Sequence, residues 1–80
     1  MPKLRVLSGD EVLNIFKRFG FELEAQRGSH VKLKRLIGGQ KEILTVVLHS
    51  ELDKGTLRSI FRQASRYISE QELRQFFYTE

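Results

Sequence analysis

The chain has no cysteine among its 80 residues. That excludes a disulfide framework, a thiolate zinc site and a catalytic thiol, and it suits a reducing compartment. No apolar run approaches the roughly 18 residues that a membrane-crossing helix needs, and Met1–Asp10 lacks the apolar core of a secretory leader. Internal repeats, linkers and low-complexity stretches are missing too. A soluble, cytoplasmic protein is expected, made of one domain spanning residues 1–80. Hydrophobic residues are 40% and charged residues 30% of the chain, a globular balance. A chain this short buries one core of marginal size.

Acidic residues are scarce where the chain is most basic. Residues 27–66 hold nine Lys/Arg against three acids, whereas the rest holds five against seven. The net charge of +4 therefore conceals a middle segment of +6. A concentrated positive face favours a polyanionic partner such as nucleic acid. Charge alone is more often the mark of a solvated surface, so the pattern of residues has to decide.

Residues 1–7 are short and mixed, a loosely tied arm. Ser8 and Glu11 stand three apart as a capping box, with Asp10 and Glu11 at the positive end of the helix dipole. Val12, Leu13, Phe16 and Phe19 then recur at helical spacing. Gly20 is placed to stop this helix, and Phe21 to touch Phe16 beyond it. Phe21, Leu23 and Ala25 alternate with Glu22, Glu24 and Gln26, which predicts a strand directly after the helix. Arg27-Gly28-Ser29 turns it, and Ser29–Leu36 returns as its hairpin partner. After Gly38-Gly39 comes a third strand, Ile43–Leu48, dense in β-branched residues and ending at His49.

Leu57, Ile60, Phe61 and Ala64 follow the i, i+3, i+4, i+7 spacing of a core-facing helix. Lys54, Arg58 and Arg62 form a separate stripe, with Arg66 a turn further on. Ser69 and Glu72 make a second capping box, opening a short helix with Leu73, Phe76 and Phe77 inward. The five phenylalanines of the helices sit at core spacing and are expected to be core. The order predicts an α+β fold, α-β-β-β-α with a short C-terminal helix, its three-stranded antiparallel sheet covered by helices on one face.

The stretch Gly28-Ser29-His30-Val31-Lys32-Leu33-Lys34 carries the chemistry. Successive strand side chains point to opposite faces. Val31 and Leu33 thus face inward, leaving His30, Lys32 and Lys34 in a row on the wet side. Histidine is the side chain whose ordinary pKa lets it exchange a proton near neutrality. Beside two ammonium groups it suits phosphodiester chemistry on RNA, which brings its own nucleophile, the 2′-hydroxyl. Such cleavage needs a base near that hydroxyl, cations around the developing charge and an acid for the departing oxygen. The amides of Gly55 and Thr56, at a helix N-terminus, offer a further anion site. Two histidines without placed carboxylates fall short of the usual three or four metal ligands, so neither a metal nor a cofactor is expected. Ser29 has no evident acidic third member for a hydrolase triad.

Gly20-Phe21, Gly28-Ser29-His30, Thr45-Val46-x-x-His49 and Lys54-Gly55-Thr56-Leu57-x-x-Ile60, in this order, resemble the HicA toxins of bacterial toxin–antitoxin pairs. The resemblance runs from Ser8-Gly9 to about Ser69 and implies a fold similar to the double-stranded-RNA-binding domain. It also implies a small metal-independent endoribonuclease, an mRNA interferase, with mRNA as substrate and a HicB-like antitoxin as partner. By position it puts the catalytic histidine at His30 and the second family histidine at His49. Val47 stands where the family usually has proline, and valine fits a continuous strand better. Arg27, Ser29, Lys32, Lys34, Lys54 and Arg58 are expected to engage RNA, chiefly through shape and phosphate contacts. The alternative is a non-catalytic RNA-binding module of the same fold, and a third reading is a subunit that binds only another protein.

Overall fold

Capping chemistry opens all three helices. In the computed structural model, which describes residues 2–79, the order is β1 (Lys3–Leu4), α1 (Gly9–Arg18), β2 (Glu22–Arg27), β3 (His30–Ile37), β4 (Gln40–Val47), α2 (Lys54–Ala64), α3 (Glu70–Phe77) and β5 (Tyr78–Thr79). Before α1, the Glu11 N–H donates to the Ser8 hydroxyl at 3.0 Å, and the Ser8 N–H donates to the Glu11 carboxylate at 2.8 Å. The predicted box is complete. At α3 the Glu72 N–H donates to the Ser69 hydroxyl. The return bond runs from that same hydroxyl to the Glu72 carboxylate rather than from the Ser69 N–H. The cap of α2 is Asp53, whose carboxylate accepts the Thr56 N–H at 2.7 Å.

Gly20 ends α1 with φ +94°. The Gly20 N–H donates to Lys17 and the Phe21 N–H to Phe16, both at 3.1 Å, which is a Schellman motif. The accompanying apolar contact is present, with the Phe16 and Phe21 rings 6.1 Å apart. Chain reversal here places β2 directly after the helix.

The sheet runs β2-β3-β4, antiparallel throughout. The β3–β4 hairpin turns through Gly38 and Gly39, both at positive φ, as a two-residue type I′ turn requires. That tight turn lets β4 begin at Gln40, three residues before the predicted start. Arg27-Gly28-Ser29-His30 closes the other hairpin, with Gly28 alone at positive φ. Ser29 belongs to this turn rather than to the strand, though its carbonyl accepts the Leu48 N–H at 2.7 Å and extends the ladder.

The alternation in β2 does not hold. Leu23 pairs with Leu33, but Ala25 pairs with Lys32, so Glu24 is the extra residue of a β-bulge. Past the bulge the parity flips. Ala25 is exposed on the outer face beside Lys32, and Gln26 falls opposite inward-pointing Val31.

One core lies between the inner face of the sheet and all three helices. Val31, Leu33, Leu44 and Val46 come from the strands. Val12, Leu13, Ile15 and Phe16 of α1, Leu57, Ile60, Phe61 and Ala64 of α2, and Leu73 and Phe77 of α3 meet them. Phe77 is its hub, with ring centroids 5.9 Å from Phe16 and 5.5 Å from Phe61. Phe19 and Phe76 stack edge-to-face at 5.5 Å on its margin, half-buried. The expected loose arm is tied down instead: β1 pairs with β5, and Leu7 is buried. A two-residue strand shows no alternation, so this pairing had no local signal; Met1 lies outside the described residues. No helix among the described residues is long and apolar enough to cross a membrane.

Candidate nucleic-acid interface around His30

Register places His30 at the first position of β3, opposite Arg27 of β2 and Val47 of β4. Val31 and Leu33 are fully buried, while His30 and Lys32 are exposed. The predicted division of faces therefore holds in β3. Strand β4 runs unbroken through Val47, as a valine there allows. The Gln26 side-chain amide donates to the Gly28 carbonyl at 3.0 Å and braces the turn that presents His30. No hydrogen bond to the His30 ring occurs among the described residues, so no carboxylate fixes its tautomer.

Two shallow clefts meet at His30. One is walled by Arg27, Lys32 and Ala25 of the hairpin. The other runs between Val47 and Thr45 of β4 and the Thr56, Ser59 and Gln63 side of α2. Helix and strand are joined there by a bond from the Thr45 N–H to the Gln63 side-chain oxygen at 2.9 Å. That bond also occupies a backbone donor on the outer edge of the sheet, where β4 has no neighbouring strand. A third concavity shares Ser59 and Gln63 with the second and ends at Arg62 and Arg66. A continuous surface thus leads from Arg27 and Lys32, past His30, to Arg62 and Arg66.

This path differs from the predicted set on α2. Lys54 and Arg58 are exposed but line neither cleft at His30. At 100° per residue they project well away from Ser59 and Gln63, whereas Arg62 and Arg66, the latter just past the end of α2, share a concavity with those two residues. The helix stripe was visible in the sequence. Which part of it neighbours His30 depends on how α2 docks on β4.

The Gly55–Thr56 anion site is corrected as well. The chain's own Asp53 carboxylate takes the Thr56 N–H. Hydrogen bonds from Thr56, and then from Gly55, hold that carboxyl below its ordinary pKa, with nearby His49 contributing less. A negative charge already sits where the anion was expected. No motif announced this, although an aspartate just before Lys54 is a helix-capping signal in its own right.

Lys32 and Lys34 do share the outer face with His30, but they are not free. Both turn toward Glu24, at 4.0 and 3.7 Å, and Lys41 of β4 meets the same carboxylate at 2.9 Å. Arg35 has the opposite fate. It lies on the inner parity, paired with Glu42 at 2.7 Å, donating to the carbonyls of Phe19 and Tyr67, with its guanidinium 4.7 Å above the Phe21 ring. It contributes to the core margin, not to the basic surface.

His49 follows β4 in the loop, its carbonyl accepting the Gly9 N–H at 2.9 Å. Its ring is exposed and lines neither cleft at His30. Among the described residues no group of three or more His, Asp or Glu side chains is placed to hold a metal ion.

Against known proteins, neither a curated protein nor a solved structure matches the chain. A family model does, over residues 9–65, described as the HicA toxin of bacterial toxin–antitoxin. The matched span starts at the first residue of α1, contains β2, β3, β4 and α2, and so includes His30 and every wall of its clefts. The chain belongs to the HicA toxin family.

Proposed function

We propose that this chain is the mRNA-cleaving toxin of a toxin–antitoxin pair, with His30 as its proton-transfer residue and a HicB-type antitoxin as its partner in the cytoplasm. The observation that carries the reading is an exposed histidine at the junction of two clefts, with Arg27 and Lys32 on one side and a path to Arg62 and Arg66 on the other. In the reaction, O2′ of a ribose forms a bond to the adjacent phosphorus as the bond from phosphorus to O5′ breaks. One proton leaves O2′ and one reaches O5′. A single imidazole on the wet face of β3 can accept the first or deliver the second. Flanking cations stabilise the charge that grows on the phosphoryl oxygens.

Acid–base assistance of this kind is worth about 10²–10⁴ in rate. With one histidine in the clefts, the expected enzyme is slow. Ser29 contributes its carbonyl to the hairpin ladder, and Lys34 contacts RNA through the same face as Lys32. His49 has a structural task in its backbone and no role in proton transfer.

The rival reading, a module that holds RNA without cutting it, draws on the lack of a hydrogen bond to the His30 ring. Incubating the purified protein with mRNA in EDTA separates the two. The toxin shortens the transcript, and His30→Ala does not, with both proteins folded by circular dichroism. Intact transcript with a retarded band would overturn the nuclease in favour of the binder.

A further inference from the structure

We propose that Lys32, Lys34 and Lys41 form a phosphate site that the chain's own Glu24 carboxylate fills, and that an RNA phosphodiester displaces this carboxylate on binding. The inference rests on the RNA reading above and adds to it a binding residue, Lys41, and a residue that sets affinity, Glu24.

Glu24 is where it is because of the bulge. As the extra residue of β2 it has no cross-strand partner, and its side chain reaches over the outer face of the sheet. Three ammonium groups from two other strands converge on it. Only Lys41 is at hydrogen-bond distance, 2.9 Å from Oε1; Lys34 stands 3.7 Å from that oxygen and Lys32 4.0 Å from Oε2. Oε2 is shielded from water and accepts no hydrogen bond among the described residues. Three cations thus face one anion, and two of the three are aimed at it without being satisfied by it.

A cross-strand network built for stability pairs unlike charges one to one, and exposed pairs contribute little in any case. Even with Glu22, which stands opposite Lys34 in the register without forming an ion pair with it, this cluster leaves a positive charge over. Its geometry is that of a cradle for an anion with two terminal oxygens. A phosphodiester carries the same single charge on two such oxygens and replaces the carboxylate one for one. Lysines suit the exchange, being point charges on flexible stems that follow either anion. The Lys41 hydrogen bond and the surrounding cations hold the Glu24 carboxyl below its ordinary pKa, so at neutral pH the carboxylate leaves by competition and not by protonation.

The cluster is also in the right place. Lys32 and Lys34 lie two and four residues from His30 on one face of β3, about 7 and 13 Å along the strand. A phosphate held there belongs to a nucleotide neighbouring the one whose 2′-hydroxyl is at His30. Glu24 then excludes weak polyanions from the sheet and admits a strand that gains the His30 clefts as well.

The test is binding of a 2′-O-methyl oligoribonucleotide, followed by fluorescence anisotropy for wild type, Glu24→Gln, Lys41→Gln and Glu70→Gln, each checked by circular dichroism. This probe has no 2′-hydroxyl to attack, so binding is read whether or not the protein cuts. Removing one charge about 4 Å from the phosphate tightens binding about fivefold in Glu24→Gln. Glu70→Gln makes the same change of net charge at the start of α3, away from the cluster, and is expected to tighten binding far less. Lys41→Gln weakens binding and lowers the slope of log affinity against log salt by about 0.7. In parallel, inorganic phosphate is titrated into Glu24→Gln, with the Lys41 side-chain resonances moving more than in wild type. The proposal is overturned if Glu24→Gln binds no tighter than Glu70→Gln, or if Lys41→Gln keeps the wild-type slope. Tightening in Glu24→Gln by a protein that cuts no mRNA removes the nuclease reading and leaves this site standing.

Discussion

Gly9→Ala tests whether the site depends on how α1 docks. Gly9 is the first residue of α1, and its backbone angles lie in the ordinary range. Replacing such a glycine by alanine usually stabilises a protein by about 0.4–1 kcal/mol. Here a Cβ would lie 2.2 Å from the Val47 carbonyl oxygen and 2.6 Å from the Leu48 Cα. Both are backbone atoms, so no side chain can rotate out of the way; helix or strand must move by more than an ångström. Overpacking of this kind costs about 1–3 kcal/mol. Separation also breaks the bond from the Gly9 N–H to the His49 carbonyl, for about 1 kcal/mol more. The net loss is about 2 kcal/mol, against a total stability of about 5–15 kcal/mol for a small domain. Urea denaturation reads it directly, and for a chain of this length the melting temperature falls by about 8–16 °C. Because Val47 is the cross-strand partner of His30, the mRNA cleavage proposed for this chain is expected to fall with it. Gly55→Ala is the internal control: its Cβ would meet only the Asp53 carboxylate at an ordinary 3.4 Å, and stability holds or rises. A Gly9→Ala protein as stable as wild type would refute the close approach of α1 to β4.

Substitutions elsewhere in the fold have equally definite outcomes. Arg35→Met leaves Glu42 partly buried without its cation and two carbonyls without their donor, and costs about 3 kcal/mol in urea denaturation. Asp53→Ala is less stable than wild type at pH 7, and the gap closes in acid. A carboxyl held below its ordinary pKa stabilises the fold above the unfolded value and loses that contribution as pH falls through the folded one, so the two melting curves converge below pH 3.8. In RNA binding, Arg62→Gln/Arg66→Gln lowers the salt slope by about 1.4, while Lys54→Gln/Arg58→Gln changes it much less. Equal slopes for the two double variants would refute the path along the Ser59–Gln63 side of α2.

The elements with local signals were legible in the sequence. Ser8 with Glu11, Gly20 with Phe21, and the Gly38–Gly39 turn each act within a few residues of chain, and each is where spacing predicted it. The parity of Val31 and Leu33 was equally readable, since burial on one face imposes a period of two. What was not readable depends on partners far along the chain. β1 exists only because β5 lies beside it, 76 residues later in the Lys3–Thr79 pair. Arg35 looks like any other base in a basic segment until Phe19, Phe21 and Tyr67 close around it.

The candidate site divides along the same line. His30 was visible because a turn and an alternating strand fix its face without help from the rest of the molecule. Its surroundings were not, because two single-residue events decide them. The bulge at Glu24 turns Ala25 outward and carries a carboxylate into the lysines, so charges that add up in sequence partly cancel in space. The Asp53 cap fills the amides of α2 that seemed open to a phosphate. Both events put an internal anion where a polyanionic ligand was expected, one on each side of His30. On the proposed reading, an RNA strand binds by exchange at the Glu24 cluster on the sheet side and through Arg62 and Arg66 on the helix side. On that reading, affinity is set by the anions the chain supplies as much as by its excess of bases.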